Sequence, residues 1–307
     1  MQKVMITKAI KFLLSTTGVC GLITACEPLE DSSWVNNSHV FIDWKNANPE
    51  TGMRPIELDS LEVFYYSQSD NLPDFRYPMD KNVGEFEVRT NCYDVVVTHP
   101  SPFYHRDEKF RSMTIKLPTR VNHKAETIIS ENPSEMIYAG IMAGVMVDWD
   151  VRRNIYINMT RLLKKINFVV TITDVDELLM PVTVDLSGLA SQKKIWDGVC
   201  DKETEAIQVF DLNKHGRYLN TEKYITAYKG YTLCLGAVGR NILYLTYYDA
   251  AGKKKVGKYD LTSYFTNWST EEVTVRINID ATDDSVTLEG WEMGDTTDYI
   301  FNFGETN

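Results

Sequence analysis

The chain has 307 residues, with 32 lysines and arginines against 43 aspartates and glutamates, a formal charge of −11, and 11% aromatic residues including 17 tyrosines. That balance excludes a nucleic-acid partner and an electrostatic grip on anionic lipid, both of which need a basic surface. Glycine and proline are scattered without low-complexity runs, so the chain can bury a core and no disorder is expected beyond a short tether.

Lys3, Lys8 and Lys11 form a positive first region, and Phe12 to Ala25 form a 14-residue apolar stretch. A bilayer span takes ~20 apolar residues, so this stretch is too short to cross. It ends in Leu22-Ile23-Thr24-Ala25-Cys26, with a small alanine directly before the cysteine. That is the pattern of a lipoprotein signal peptide, cut so that the new terminal cysteine carries acyl chains such as palmitate. Residues 1–25 therefore read as a removable signal and Cys26 as a lipidated N-terminus. Each buried methylene contributes about 0.8 kcal/mol and two chains suffice for stable anchoring, so the expectation is permanent attachment to a membrane. Removal of the signal leaves 282 residues, with 29 basic against 43 acidic. That length suits one large domain or two of about 140 residues.

Residues 26–37 are polar and aperiodic, with Glu27, Glu30 and Asp31, as befits an acidic tether. Period-2 patterns then begin. Val40, Ile42 and Trp44 share one face, as do Leu61, Val63 and Tyr65, then Phe86 and Val88, then Tyr93, Val95 and Val97. Met113, Ile115 and Leu117 stop at Pro118, and turn-formers such as Asn48-Pro49, Thr51-Gly52 and Pro73 lie between the runs. Ile137 to Trp149 is the most apolar stretch of the mature chain; its alternation with glycines predicts a strand buried on both faces where another layer approaches closely. The charged Asp150 to Asn154 reads as a domain junction, giving an N-terminal β-sandwich over 38–152 and a C-terminal one over 153–307.

In the second half Ile155, Ile157 and Met159 alternate. Arg161 to Lys165 interrupts as a bulge or a single helical turn, and Ile166, Phe168, Val170 and Ile172 alternate again. Val182, Val184 and Leu186 run to Ser187-Gly188, while Ile207, Val209 and Leu233 to Leu235 are weaker strand signals. Ile242 to Tyr248, Asp249-Ala250-Ala251-Gly252 and Lys254 to Tyr259 make a hairpin with glycine placed for a positive backbone angle. Val273, Val275, Ile277 and Ile279 alternate strictly, and Asp298, Tyr299, Ile300, Phe301, Asn302 and Phe303 give a final aromatic strand. The fold class is therefore all-β, in two successive units of similar size.

Catalytic motifs are missing: there is no G-x-S-x-G elbow, phosphate loop, H-E-x-x-H or dinucleotide turn, so no cofactor and no enzyme is expected. His99 and His105, five residues apart across two prolines, have no third ligand at a recognisable spacing and read as a surface loop rather than a metal site. Asp280, Asp283 and Asp284, like Asp174, Asp176 and Glu177, read as solvated turns. Without Cys20 and Cys26 three cysteines remain, Cys92, Cys200 and Cys234, enough for one disulfide whose partners the spacing does not fix; buried thiols are the simpler reading.

Taken together, the Cys26 motif, the Val40 to Trp44 strand, Tyr93 to Val97, Met159 to Thr173, Asp185 to Ala190, the Tyr248 to Lys253 turn and Tyr259 to Thr262 resemble the fimbrillin-like lipoproteins of Bacteroidales. That resemblance implies two transthyretin-like β-sandwiches on the outer membrane, facing the exterior, in a fimbrial anchor or accessory subunit that serves adhesion. The acidic cluster after Cys26 resembles the export signal of such lipoproteins, and Asp59-Ser60-Leu61 and Asp284-Ser285-Val286 match their glycosylation tripeptide. Partners would be other fimbrial subunits, joined by β-strand addition, with 298–303 as the candidate donor or terminal strand. An arginine-specific protease trims the family's stalk subunits, and Arg54 and Arg153 match by residue type alone. The alternative is a surface glycan-binding lipoprotein of a polysaccharide uptake system, for which Trp34, Trp149, Trp196, Trp268 and Trp291 are the available stacking surfaces, with Trp268 expected to be exposed.

Overall fold

The computed structural model describes residues 35–69, 72–105, 112–122, 127–174, 181–220, 222–249, 251–266, 268–281 and 285–293. Cys26, Trp34, Asp176, Glu177, Asp283, Asp284 and the segment 298–303 lie outside them. As the period-2 patterns require, the described chain is nearly all strand.

Five strands come first: β1 (Val35–Asp43), β2 (Leu61–Ser67), β3 (Phe75–Met79), β4 (Val83–Arg89) and β5 (Asn91–Thr98). Four short ones follow: β6 (Tyr104–His105), β7 (Thr114–Lys116), β8 (Thr119–Asn122) and β9 (Thr127–Ser130). Then come β10 (Tyr138–Val147) and β11 (Arg153–Arg161). The chain divides into two compact units, and the division is not the one expected. One unit takes the chain up to Pro100 together with Tyr138–Thr160; the other takes Ser101–Ile137 and everything from Arg161 onward. The expected junction at Asp150 to Asn154 is instead the connection between β10 and β11, which are neighbours in one sheet. Charged turns look alike whether they join domains or strands, so composition misplaced the boundary.

The first unit is a seven-stranded sheet in the order β3-β2-β5-β10-β11-β1-β4. Strand β1 is interior, parallel to β11 (Val40 opposite Ile155) and antiparallel to β4 (Val40 opposite Gly84). The predicted inward faces are buried: Val40, Leu61, Val63, Tyr65, Val88, Tyr93, Val95 and Val97, with Ile155, Ile157 and Met159 from β11. Strand β10 departs from expectation because it is not buried throughout. Its register against β5 shifts between Met142 and Val145, and Ala143 and Gly144 reach solvent. Gly144 has φ +64° with open space around it, so it serves the bulge, whereas a Cβ on Gly140 would stand 2.4 Å from the Ile157 side chain, the close approach predicted.

The second unit adds β12 (Lys164–Asp174), β13 (Val182–Ala190), β14 (Gln192–Lys194), β15 (Glu205–Asn220), β16 (Lys223–Cys234), β17 (Ile242–Tyr248), β18 (Lys254–Asp260), β19 (Glu272–Asp280) and β20 (Ser285–Met293). A one-turn helix, α1 (Thr262–Phe265), links β18 to β19. The main sheet runs β18-β17-β13-β15-β16-β12-β19-β20, with β9 and β8 alongside β15, and a small sheet has the order β14-β7-β6. The 16-residue β15 pairs with β13 through Leu212 and with β16 from Asn213 on, so one strand serves both halves of the sheet. The alternating residues of β12, β13, β17 and β19 meet in one core of Phe168, Val170, Val184, Leu186, Leu245 and Val275. The hairpin forms as read, with Tyr248 opposite Lys254 and Gly252 at φ +76°. On β15 the predicted face is inverted: Val209 is exposed and Ile207 half-buried, while Ala206, Gln208 and Leu212 are inside.

Candidate functional site

Molecules built of sheets expose two kinds of surface, faces and edges, and at an edge the backbone N–H and C=O groups lack a neighbour on one side. Strands β3 and β4 close the first unit's sheet, and β18 and β20 close the main run of the second. These edges carry features that blunt pairing. Pro78 in β3 has no N–H to donate, and Arg76 of the same strand is tied to Glu62. Strand β4 presents exposed Glu85 and Glu87. His39 at 3.0 Å and Arg152 at 2.9 Å both engage Glu85, and the hydrogen bond from His39, then that from Arg152, hold its carboxyl below the usual range. Strand β18 carries Lys254 and Lys258 exposed and Lys255 half-buried, and ends in Asp260. Hydrogen bonds from the Thr262 side chain and then from Arg240 lower the Asp260 carboxyl to about 2.

Strand β20 pairs with β19 along Ser285–Met293 and, like β4, has two glutamates (Glu289 and Glu292) but neither proline nor lysine. The segment read as a donor or terminal strand begins only five positions after its last residue. That edge is therefore the one closest in sequence to the segment.

The remaining candidates are dispersed. The connection between β5 and β6 is a loop with Pro100 and Pro102 exposed, as read, and His105 is exposed, but His99 at its start is buried and its Nδ1 accepts a hydrogen bond from the Tyr138 amide at 3.4 Å. Among the described residues no group of three or more His, Cys, Asp or Glu is placed to hold a metal. Asp174 is buried rather than solvated, and Asp280 accepts from Lys223 Nζ at 3.1 Å. Asp59 is exposed and Ser60 half-buried just ahead of β2. Arg54 donates to the Asp80 carbonyl at 2.8 Å, and Arg153 is exposed at the start of β11. Cys234 is buried and Cys200 half-buried, and both are free, whereas the buried Cys92 is disulfide-bonded, so the thiol reading holds for Cys200 and Cys234 and not for Cys92. Trp149 is exposed and Trp196 half-buried. Trp268 is not the exposed platform expected: it packs against the second unit's core, edge-on to Phe265 at 5.0 Å. An isolated Thr-Asn-Trp-Ser-Thr reads as surface, and only the fold brings Phe265 beneath it.

No family model matches the chain, and no curated protein matches it. Solved structures do. A candidate adhesin from Bacteroides ovatus superposes with TM-score 0.57 at 14% identity, covering 89% of this chain and 98% of that one. A candidate polysaccharide-binding protein from Bacteroides thetaiotaomicron gives TM-score 0.54 at 13% identity, covering 84% and 98%. The fimbrial anchor protein Mfa2 from Porphyromonas gingivalis gives 0.48 at 13% identity over 84% and 96%, below the similarity from which a common fold follows. The first two share this chain's fold over nearly their whole length.

Proposed function

We propose that this chain is a lipid-anchored protein of the outer surface, acting as a fimbrial anchor or accessory subunit that joins partner subunits by β-strand addition and serves adhesion. The reading is of a binding protein and not an enzyme. The observation that carries it is the sequence of parts: an acylation motif at Cys26, a short acidic tether, then two all-β units, with the β20 edge only a few positions before the terminal segment 298–303 in the sequence. Lipid at Cys26 suits a base or accessory subunit, because three acyl chains hold a protein on one membrane. At the edge, backbone groups would pair with an extended segment of a neighbouring subunit while side-chain pockets set register. Support also comes from the fold shared with the candidate adhesin of Bacteroides ovatus.

The test has two parts. Mass spectrometry of the native protein should find an acylated Cys26, lost in Cys26→Ser; an unmodified soluble product would sink the anchor. Deleting 298–303 should abolish association with partner subunits at an unchanged melting temperature, whereas a lower melting temperature would mark those residues as a strand of their own unit.

A second reading, glycan capture, is favoured by the fold shared with the candidate polysaccharide-binding protein. Retention on polysaccharide affinity gels, with no association between subunits, would replace the first reading with it.

A further inference from the structure

The second unit contains a cleft of about 520 Å³ whose charge runs against that of the whole chain. Lys164, Lys193 and Lys202 line it, with Phe265 and Trp268 as an aromatic wall and Thr266 and Ser269 beside them, and among the described residues no acidic side chain lines it. Its walls are Gly198 to Cys200 with Lys202, Leu235 to Val238, and the end of α1 with Thr266, Trp268 and Ser269, together with Lys164 of β12 and Lys193 of β14; β12 is paired on both sides and Lys193 bridges both Ile115 and Cys200, so neither strand offers a free edge to the cleft.

The two inner ammonium groups are fixed in place. Lys164 Nζ donates to the carbonyls of Trp268 at 2.6 Å and Thr270 at 3.0 Å and stands 4.7 Å over the Trp268 ring. Lys193 Nζ donates to the carbonyls of Leu162 at 3.1 Å and Leu235 at 3.5 Å. An ammonium has three N–H donors, so each keeps one for a ligand. Burial and then the Lys193 charge push the Lys164 ammonium below its usual range, so the two cations repel across the cleft. Glu271 feels both lysines, but its carboxylate is 3.6 Å from the Arg161 guanidinium and is not part of the lining. The Cys200 thiol, also in the lining, donates to the Leu235 carbonyl at 3.4 Å and is held protonated by burial.

We infer that this cleft binds the carboxylate of a small sugar acid, a uronate of one or two rings. Two free N–H donors on two cations match the two oxygens of one carboxylate, and such charge-assisted bonds are the strong ones. Hydroxyls and an aromatic wall suit a body that is part polar and part apolar, and the volume lies in the small-molecule range of ~300–1,000 Å³. The absence of a free strand edge in the walls favours a compact ligand over an extended peptide. This inference stands whether or not the chain joins a fibre.

Isothermal titration of the full chain with D-glucuronate should give saturable binding that weakens with added salt. Glucose should give no heat, and acetate should bind far more weakly than glucuronate. Lys193→Met should weaken glucuronate by roughly tenfold or more, the loss of one charge-assisted contact, and Lys202→Met, which removes a lining charge without a direct contact, by a smaller factor, each with an unchanged near-ultraviolet dichroism spectrum. Lys202 serves as the second variant because, unlike Lys193, its side chain is exposed. Four results would overturn the proposal: no heat from folded protein, equal binding of glucose or acetate, unaltered affinity in both variants, or tighter binding of a short peptide with a free C-terminal carboxylate.

Discussion

The Ser38 hydroxyl lies 2.5 Å from the Tyr65 hydroxyl, although their strands β1 and β2 are separated by three others in the sheet. A flat sheet would hold those strands far apart at about 4.8 Å per step, so the first unit must curl until its inner face meets itself. Tyr65 fills that meeting point, with Tyr77, Phe86 and Tyr93 edge-on around it. The pair fixes which turn of the sheet faces which.

Removing either hydroxyl should cost unequal amounts. In Tyr65→Phe the Ser38 hydroxyl still reaches the Phe86 carbonyl at 3.5 Å, so the loss should be about 1 kcal/mol. In Ser38→Ala a buried phenol loses its partner, and the expected loss is about 1–3 kcal/mol. Urea unfolding of both variants and the double variant tests this, and the double should lose less than the sum.

Gln208 occupies the inside of β15, where its Oε1 accepts from the Thr232 hydroxyl at 2.7 Å and its Nε2 donates to the Leu233 carbonyl at 3.0 Å. Gln208→Leu strands a buried hydroxyl, so despite the gain in apolar surface it should destabilise by about 1–3 kcal/mol. Gln208→Leu with Thr232→Val should recover most of that, measured by denaturant midpoint.

Gly188 stands at φ +76° in β13, and a Cβ there would come within 2.6 Å of the Arg240 carbonyl oxygen. The Arg240 backbone and the Asn241 amide, which is tied to the Ser187 and Gly188 carbonyls, leave little room to relax, so Gly188→Ala should cost at least ~1–3 kcal/mol. A melting temperature within error of wild type would refute the crowding.

Asp260 should make stability depend on acid. An unfolded aspartate titrates near ~3.9. The folded carboxyl is lowered to about 2, by Thr262 first and Arg240 second. The folded pKa is thus below the unfolded one, so the contribution is present at neutral pH, starts to fall near the unfolded value and is gone once pH passes below the folded one. Asp260→Asn should lower the melting temperature slightly at pH 7, and the difference should shrink as pH falls toward 2 and vanish below it.

Thiol reactivity should separate the two free cysteines. Burial pushes Cys234 up to about 12 and raises Cys200 to a lesser degree, and Cys200 lines the cleft. At pH 8 iodoacetamide should modify Cys200 slowly and Cys234 only on unfolding, since the thiolate is the nucleophile. Peptide mass mapping of native and urea-treated protein reads both.

Alternation by itself told which faces of β11, β12 and β19 turn inward, because side chains on a pleated backbone must alternate and Ile155, Phe168 and Val275 cannot face water together. Tight turns were equally legible, since Gly252 supplies an angle other residues resist. Pairing was not legible. Backbone groups are the same in every strand, so nothing local says that β1 lies between β4 and β11, or that 101–137 leaves one unit for the other. For the same reason Ile207 and Val209 read as the inner face of β15, and nothing in the sequence singled out Gln208, Lys164 or Lys193: a polar side chain goes inside only where distant partners meet it, and the tertiary structure alone brings Thr232 to the first and Trp268 and Leu235 to the others.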